Sequence, residues 1–305
     1  MSICRLTPMM LCAGVAAFAL SAADAQPSRG TAKACAAGDT GRTARGIFYE
    51  CAGGEGEAIV LIHAFSMDRR MWDGQLVALR QLGRVITYDL RGHGRSAPQT
   101  EPFTGMQDLL DLMDQLAIER AHLVGLSNGA RIALDFALLH PQRVRSLALA
   151  APGASGYLGS EPMTWMAPVI ESARGGRLEE AAARWAETPL MRIPHDTLAQ
   201  AHMLEIALAN RALWGQRANL EVPLHPPAIA RLHEVRAPVL IVSGENDLPD
   251  LRRAADTLRT GIPGAQFRSI EDAGHMVNFA APAEFNALLW AFLSALPRQQ
   301  RGGTR

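Results

Sequence analysis

The sequence lacks a surplus of charge, a metal-binding cluster and a phosphate-binding glycine loop. Thirty basic side chains balance thirty acidic ones in 305 residues, so the formal net charge is zero. No general attraction to nucleic acid or to an anionic membrane surface is therefore expected. The histidines do not pair at metal-ligand spacing, and the one tempting glycine cluster, at residues 92–94, lacks the dinucleotide-binding spacing. Neither a metal nor a cofactor is expected.

Long apolar runs are also scarce, and the clearest one lies at the start of the chain. Residues 9–20 are almost entirely apolar, Arg5 precedes them, and Ala23 and Ala25 form a small-x-small cleavage pattern. This arrangement is typical of a secretory signal peptide and is too short for a membrane span. We expect cleavage near Ala25 and Gln26 and a periplasmic or secreted protein without stable membrane association. An uncleaved membrane anchor is the alternative.

The chain has only four cysteines, two of which fall in the predicted signal segment. In an oxidising compartment, the remaining pair, Cys35 and Cys51, is expected to form a disulfide that fixes the N-terminal stretch. The alternative is that Cys51 is a buried thiol and Cys35 lies in a loose tail.

Strand and helix patterns alternate along the rest of the chain. Strands are predicted near 46–51, 58–63, 84–88, 121–126, 146–150, 238–243 and 266–270, and helices near 72–82, 104–117, 128–140, 249–260 and 282–296. This alternation favours an α/β fold with a mostly parallel sheet flanked by helices. Residues 153–236 show only helical patterns, near 161–174, 177–187 and 195–214. They predict a helical cap inserted into a core made of residues 26–152 and 237–305.

Residues 125–129 read Gly-Leu-Ser-Asn-Gly, between an apolar strand pattern and a helix pattern. This context favours a nucleophile elbow, a sharp turn that holds the Ser127 hydroxyl out of the sheet. Glycines remove side chains that would collide at so tight a turn. The helix that follows directs its N–H groups toward developing negative charge.

A serine nucleophile needs a base, and the base needs a group that orients it. His275 follows the last Gly-His step before the terminal helix and is the expected base. Asp247 is the expected orienting acid, because it follows a predicted strand at the sheet edge where such sites lie. Asp250 and Asp272 are rival candidates for that role.

Two backbone donors are expected to stabilise the oxyanion. The residue directly after the nucleophile, Asn128, supplies one N–H group. Phe65 supplies the other, because its loop follows the buried strand at residues 59–62.

Together these segments resemble the α/β-hydrolase superfamily, over residues 47–296. The resemblance rests on the His63–Phe65 loop, the turn at residues 89–96, the elbow and the loops of Asp247 and His275, in the chain order Ser127, Asp247, His275. The resemblance favours Asp247 as the acid, because the spacing of Asp247 from Gly244 matches the family pattern. Residues 71–76 and 89–96 resemble 3-oxoadipate enol-lactonases and small esterases or perhydrolases. Ala64 departs from the glycine usual in relatives.

The resemblance implies a serine hydrolase that acts on a small-molecule ester or lactone, as a monomer or small homo-oligomer. A carbon–carbon bond hydrolase and a non-catalytic ligand-binding protein are the alternatives. Some large apolar cap residues should line the substrate cleft: Trp165, Met166, Trp185, Met191, Met203 and Trp214. Four cap cations could meet a substrate carboxylate: Arg192, His195, His202 and Arg211.

Overall fold

A computed structural model describes residues 36–216 and 220–297. The predicted signal segment and Cys35 lie outside these residues, so export and the disulfide stay predictions. The described chain forms one sheet from eight strands: β1 (Thr40–Arg42), β2 (Phe48–Gly53), β3 (Ala58–Ile62), β4 (Arg84–Tyr88), β5 (Ala121–Leu126), β6 (Val144–Ala150), β7 (Val239–Gly244) and β8 (Gln266–Ile270).

The strand order is β1-β2-β4-β3-β5-β6-β7-β8. Strands β3 to β8 run parallel, and β1 and β2 are antiparallel to their neighbours, which confirms the mostly parallel sheet. Every residue of β3, β5 and β7 is buried, as expected for unbroken apolar runs in central strands. The unpredicted strand β1 is a short, largely exposed edge strand without an apolar run.

Helices cover both faces of the sheet. They are α1 (Asp73–Leu79), α2 (Gly105–Gln115), α3 (Asn128–Leu139), α4 (Ala167–Arg174), α5 (Leu178–Ala186), α6 (Thr197–Ala209), α7 (Pro249–Gly261), α8 (Val277–Ala280) and α9 (Pro282–Ser294). Two buried apolar clusters fill the space between sheet and helices. One includes residues of α2, α3 and α7, and the other includes residues of α1, α9 and the insertion.

The insertion between β6 and β7 is helical, as predicted. It contains α4, α5, α6 and short 3-10 turns, and within its described residues the only strand-like pairing is a bridge between Glu221 and Phe103. The exact limits of the cap at residues 153 and 236 stay predictions. No helix in the described part of the chain is long and apolar enough to cross a bilayer.

The register of the parallel strands brings several loops to one edge of the sheet. Ile62 at the end of β3 lies opposite Gly125 of β5, and Leu126 lies opposite Ala150 of β6. Gly244 at the end of β7 lies opposite Ile270 of β8. The loops that follow β3, β5, β7 and β8 therefore emerge at the same carboxyl edge, where ligands bind in open α/β sheets.

Candidate active site

Ser127 occupies the sharp turn between β5 and α3. Its backbone has φ 55° and ψ −110°, a conformation that residues with a side chain rarely adopt. The turn is held from both sides, because the Ser127 N–H donates to the Ala150 carbonyl at 2.9 Å and its own carbonyl accepts from the Arg131 N–H at 3.0 Å. The residue is only partly buried. A strained, held and accessible serine is the geometry that the elbow motif predicts.

The two flanking glycines permit this turn. A Cβ atom at Gly129 would lie 2.0 Å from the Ile62 carbonyl oxygen, and one at Gly125 would lie 2.4 Å from the Gly129 carbonyl oxygen. Neither backbone neighbour can move away easily, because both belong to the sheet or to the first turn of α3. The glycines therefore let the start of α3 approach the end of β3 directly.

Asp247 and His275 form a buried hydrogen-bonded pair. The His275 Nδ1 lies 2.9 Å from the Asp247 Oδ2, and both side chains are almost fully buried. Their loops touch closely, since a Cβ atom at Gly244 would lie 2.3 Å from the carbonyl oxygens of Ala273 and Gly274. The Asp247 carboxylate thus holds the imidazole through Nδ1 and leaves Nε2 for other chemistry.

The two rival acids lie elsewhere. The Asp250 carboxylate accepts hydrogen bonds from the backbone N–H groups of Ser160 and Glu161 and pairs with Arg253, and these contacts lower its pKa to about 2. Asp272 is exposed and sits in a turn with φ 56°. Among the three carboxylates, only Asp247 contacts His275 in the described structure.

Ser127 and His275 share the sheet edge but are not hydrogen-bonded to each other in the described structure. Such bonds are often long in unliganded enzymes and tighten when substrate binds. The structure thus brings together the predicted acid and the predicted base, and it places Ser127 on the loop after β5 at the same edge of the sheet.

The two predicted oxyanion donors have no competing acceptor. The Phe65 N–H lies in the loop after β3, and the Asn128 N–H is the first of α3. Neither donates a hydrogen bond to any residue within 36–216 or 220–297. Both amides therefore stay available to an external negative charge.

Two buried histidines fix the loop that carries Phe65. The His63 Nε2 accepts from the Leu90 N–H at 2.8 Å, and the His93 Nε2 accepts from the Ser66 N–H at 3.3 Å. Burial lowers the pKa of His63 to about 4 and that of His93 to about 3, so both rings are neutral at pH 7. They hold the loop against the turn at residues 89–96 and are not exposed bases.

The cap also contacts this loop. The Trp185 Nε1 of α5 donates to the Ser66 Oγ at 2.6 Å, and the Asn210 Nδ2 donates to the Asp68 Oδ2 at 3.0 Å. Phe65 packs edge-to-face on Trp185 and on Trp214. The sequence offers no signal for these contacts, because Trp185 and Ser66 are 119 residues apart.

The turn at residues 89–96 is held by two charged side chains. The Asp89 carboxylate accepts from the backbone N–H groups of Arg69 and Arg95 at 2.9 and 2.8 Å and so fixes the loop backbone. The Arg91 guanidinium has a different role, since it forms a bidentate ion pair with Asp108 at 3.0 and 2.6 Å. Arg91 also lines a neighbouring cavity.

That cavity has a volume of about 470 Å³ and borders both Phe65 and Asn128. Its lining includes apolar side chains, Phe103, Ile132, Leu213 and Trp214, and polar ones, Arg91, Gln99, Asp108 and Glu221. Of the large cap residues, Trp214 lines this cavity, whereas Met191 and Met203 are buried in the core. None of the four cap cations lines it.

The described residues contain no group of three or more histidine, cysteine, aspartate or glutamate side chains that could hold an ion.

Comparisons with known proteins agree with the fold. The chain is 28% identical to 3-oxoadipate enol-lactonase 1 of Acinetobacter baylyi, over 78% of this chain and 89% of the relative. It is 33% identical to the dihydrolipoyllysine-residue acetyltransferase component of the acetoin cleaving system of Pseudomonas putida, over 81% of this chain and 66% of that protein. The crystal structure of the enol-lactonase from Burkholderia xenovorans superposes with a TM-score of 0.68 at 25% identity, over 84% of this chain and all of that one. Residues 59–288 match the model of the alpha/beta hydrolase family, and the chain belongs to that family.

Proposed function

We propose that this hydrolase cleaves a small carboxylic ester or lactone through an acyl-enzyme on Ser127. One observation carries the proposal. The strained Ser127 turn lies at the same sheet edge as the buried Asp247–His275 pair, whose Nδ1–Oδ2 distance is 2.9 Å. A nucleophile, a base and an orienting acid are the groups that acyl transfer requires.

In the proposed reaction, the Ser127 Oγ attacks the carbonyl carbon while the His275 Nε2 takes the hydroxyl proton. The Asp247 carboxylate fixes the imidazole and stabilises its cation. The backbone N–H groups of Phe65 and Asn128 hold the oxygen that becomes negative. His275 then returns the proton to the leaving alkoxide, and a water molecule attacks the acyl-enzyme by the same steps to release the acid. Besides the substrate, the proposed reaction uses only side chains and backbone N–H groups of this chain and a water molecule.

The comparisons support the ester or lactone class. Two of the proteins that resemble this chain are named enol-lactonases. A cavity of about 470 Å³ beside the proposed oxyanion donors fits a small substrate. Its lining also includes polar side chains, beyond the large apolar cap residues that were expected to line the cleft.

The proposal is tested by active-site labelling and by a substrate panel. A fluorophosphonate should attach to the Ser127 Oγ with loss of fluoride, and peptide mapping should place the label on that residue alone. The purified chain should hydrolyse p-nitrophenyl esters or lactones in preference to dienone acids, the substrates of a carbon–carbon bond hydrolase. Ser127→Ala should lose label and turnover together. Ser146→Ala is the matched control, because Ser146 is buried within strand β6.

Three results would decide against the proposal. Labelling of another serine would move the nucleophile. Turnover of dienone acids alone would favour the carbon–carbon bond hydrolase. Specific binding of an ester without labelling or turnover would favour a ligand-binding protein.

We also propose that the chain is exported and that Cys35 and Cys51 form a disulfide. The support is the signal-like segment at residues 9–25 and the pairing of the two cysteines that follow it. Protein recovered from the periplasm should begin near Gln26 and yield one linked cysteine pair in non-reducing peptide mapping. An intact segment 1–25 would refute the export, and two alkylated thiols would refute the bridge.

A further inference from the structure

We infer that the cavity bordered by Phe65 and Asn128 is the acyl subsite, and that it selects an uncharged acyl group carrying an internal hydrogen-bonding group such as an amide. This inference rests on the proposed function and names the substrate class of the same site. It is argued from the position of the cavity, from its unused polar atoms and from its balance of charge.

The position of the cavity assigns it to the acyl side. Phe65 and Asn128, whose N–H groups would hold the substrate carbonyl oxygen, both line the cavity, whereas Ser127 and His275 lie outside its lining. The leaving group must depart beside the His275 Nε2, because that nitrogen returns its proton. A group that extends from the carbonyl into this cavity is therefore the acyl portion.

The wall of the cavity contains polar atoms without partners. The Arg91 side chain is only 7% exposed, and its Nε and Nη2 atoms bind Asp108. No described residue accepts a hydrogen bond from the remaining Nη1 atom. The Trp214 Nε1 and the Gln99 Oε1 are buried and also lack partners within the described chain.

Unpaired buried polar atoms are costly, because they lose their hydrogen bonds to water and gain none in the protein. The buried Trp214 Nε1 offers an N–H donor, and the buried Gln99 Oε1 offers an acceptor. Both residues line the cavity, so these two atoms would meet a ligand there once their side chains turn toward it. A ligand group with one carbonyl oxygen and one N–H, such as an amide, satisfies both kinds of atom.

The charges of the wall argue against an anionic acyl group. Arg91 is neutralised by Asp108, and Glu221 is neutralised by Arg131 through two contacts of 2.7 Å. His93, which also lines the cavity, is neutral because burial lowers its pKa to about 3. Among the described residues that line the cavity, a substrate carboxylate would meet two carboxylates and no unpaired cation. Hydrogen-bonding capacity without net charge thus defines the specificity.

Three p-nitrophenyl esters with one leaving group and similar acyl lengths test this inference: the hexanoate, the N-acetyl-β-alaninate and the mono-adipate. We expect kcat/KM to be highest for the N-acetyl-β-alaninate and lowest for the anionic adipate. Gln99→Leu and Trp214→Phe should each lower the ratio of N-acetyl-β-alaninate to hexanoate by about five-fold, the value of one ordinary hydrogen bond. Trp290→Phe is the matched control, because Trp290 lies on α9 and does not line the cavity.

A second measurement does not depend on turnover. Calorimetric titration of Ser127→Ala with the same esters should give the same order of affinities, and adding Gln99→Leu should reduce the preference for the N-acetyl-β-alaninate. A higher kcat/KM or affinity for the adipate than for the N-acetyl-β-alaninate would overturn the acyl subsite. An equal loss of kcat/KM on all three esters in both Gln99→Leu and Trp214→Phe would also overturn it. Because fluorophosphonate labelling tests the nucleophile separately, a labelled enzyme without this preference loses only the subsite inference.

Discussion

The sheet carries a serine, a histidine and an acid at each of its two ends, and the two sets differ in what surrounds them. At the amino end, the Ser146 Oγ lies 2.8 Å from the His122 Nδ1, and the His122 Nε2 lies 3.2 Å from the Glu57 Oε2. This set has a continuous hydrogen-bonded chain from hydroxyl to carboxylate. At the carboxyl end, Ser127 is not bonded to His275. By connectivity alone, the amino-end set looks more complete.

The surroundings of the two serines favour the carboxyl-end set instead. Ser146 is 1% exposed and lies within the regular strand β6, so no substrate carbonyl can reach it. Ser127 is partly exposed on a strained turn, and the N–H groups of Phe65 and Asn128 donate to no acceptor among the described residues. Access and a place for the developing charge therefore favour Ser127 over Ser146 as the nucleophile, more than the hydrogen bonds within each set do.

The strongest test of this comparison exchanges the two serines for alanine. Ser127→Ala should lower kcat for ester hydrolysis by about 10⁶-fold, the scale of losing a triad nucleophile. Ser146→Ala should change kcat less than about two-fold and reduce only stability, because it removes one buried hydrogen bond of about 1 kcal/mol. Stopped ester assays and urea unfolding of both variants measure the contrast. Comparable loss of kcat in both would remove the distinction between the two ends.

The acids provide the second test. Asp247→Asn should lower kcat by roughly 10⁴-fold, because the amide no longer fixes the tautomer and charge of His275. Glu57→Gln should leave kcat within about two-fold, because that carboxylate serves no reacting group. The two variants are isosteric with their parents, so circular dichroism should show both folded. A normal rate for Asp247→Asn would exclude Asp247 as the orienting acid.

The third test uses pH and concerns stability at the carboxyl end. Burial lowers the pKa of His63 to about 4 and of His93 to about 3, whereas an unfolded histidine titrates near ~6.5. The unfolded chain therefore binds these protons first as the pH falls, so stability is full above about pH 6.5 and declines toward pH 4 and 3. We expect a loss of about 2 kcal/mol for each histidine at pH 5.

Urea unfolding at pH 7.5, 6 and 5 measures this slope. His93→Gln should reduce it, and His233→Gln should not, since His233 is exposed. An unchanged slope in His93→Gln would show that the ring is not kept neutral by burial.

The smallest expected effect concerns the contact between the cap and the loop that carries Phe65, at the carboxyl end of the sheet. Trp185→Phe removes the 2.6 Å hydrogen bond to the Ser66 Oγ but keeps an aromatic ring beside Phe65. We expect kcat to fall by about five-fold with a smaller change in KM, because the Phe65 N–H is less firmly placed. Trp290→Phe serves as the control. Lower stability with unchanged kcat would reduce Trp185 to a packing role.

The sequence anticipated the parts of this molecule that depend on local pattern. The apolar run of β3 and the glycines around Ser127 are local signals, because burial on both faces and close backbone approach each demand particular residue types at adjacent positions. The strand β1 was missed because its three residues carry no apolar pattern. Contacts between distant segments, such as Trp185 with Ser66 and Arg131 with Glu221, leave no local trace. The sequence could therefore predict the elbow and the order of Asp247 and His275, but not the cavity beside them.

The Ser127 backbone has a further consequence for how the gene can change. A φ of 55° with ψ of −110° costs a residue with a side chain on the order of 1–3 kcal/mol, whereas glycine adopts such conformations freely. Thermal tolerance and turnover are therefore opposed at this position. A population selected only for resistance to heat should accumulate glycine at residue 127, and only a requirement for hydrolysis would keep the serine.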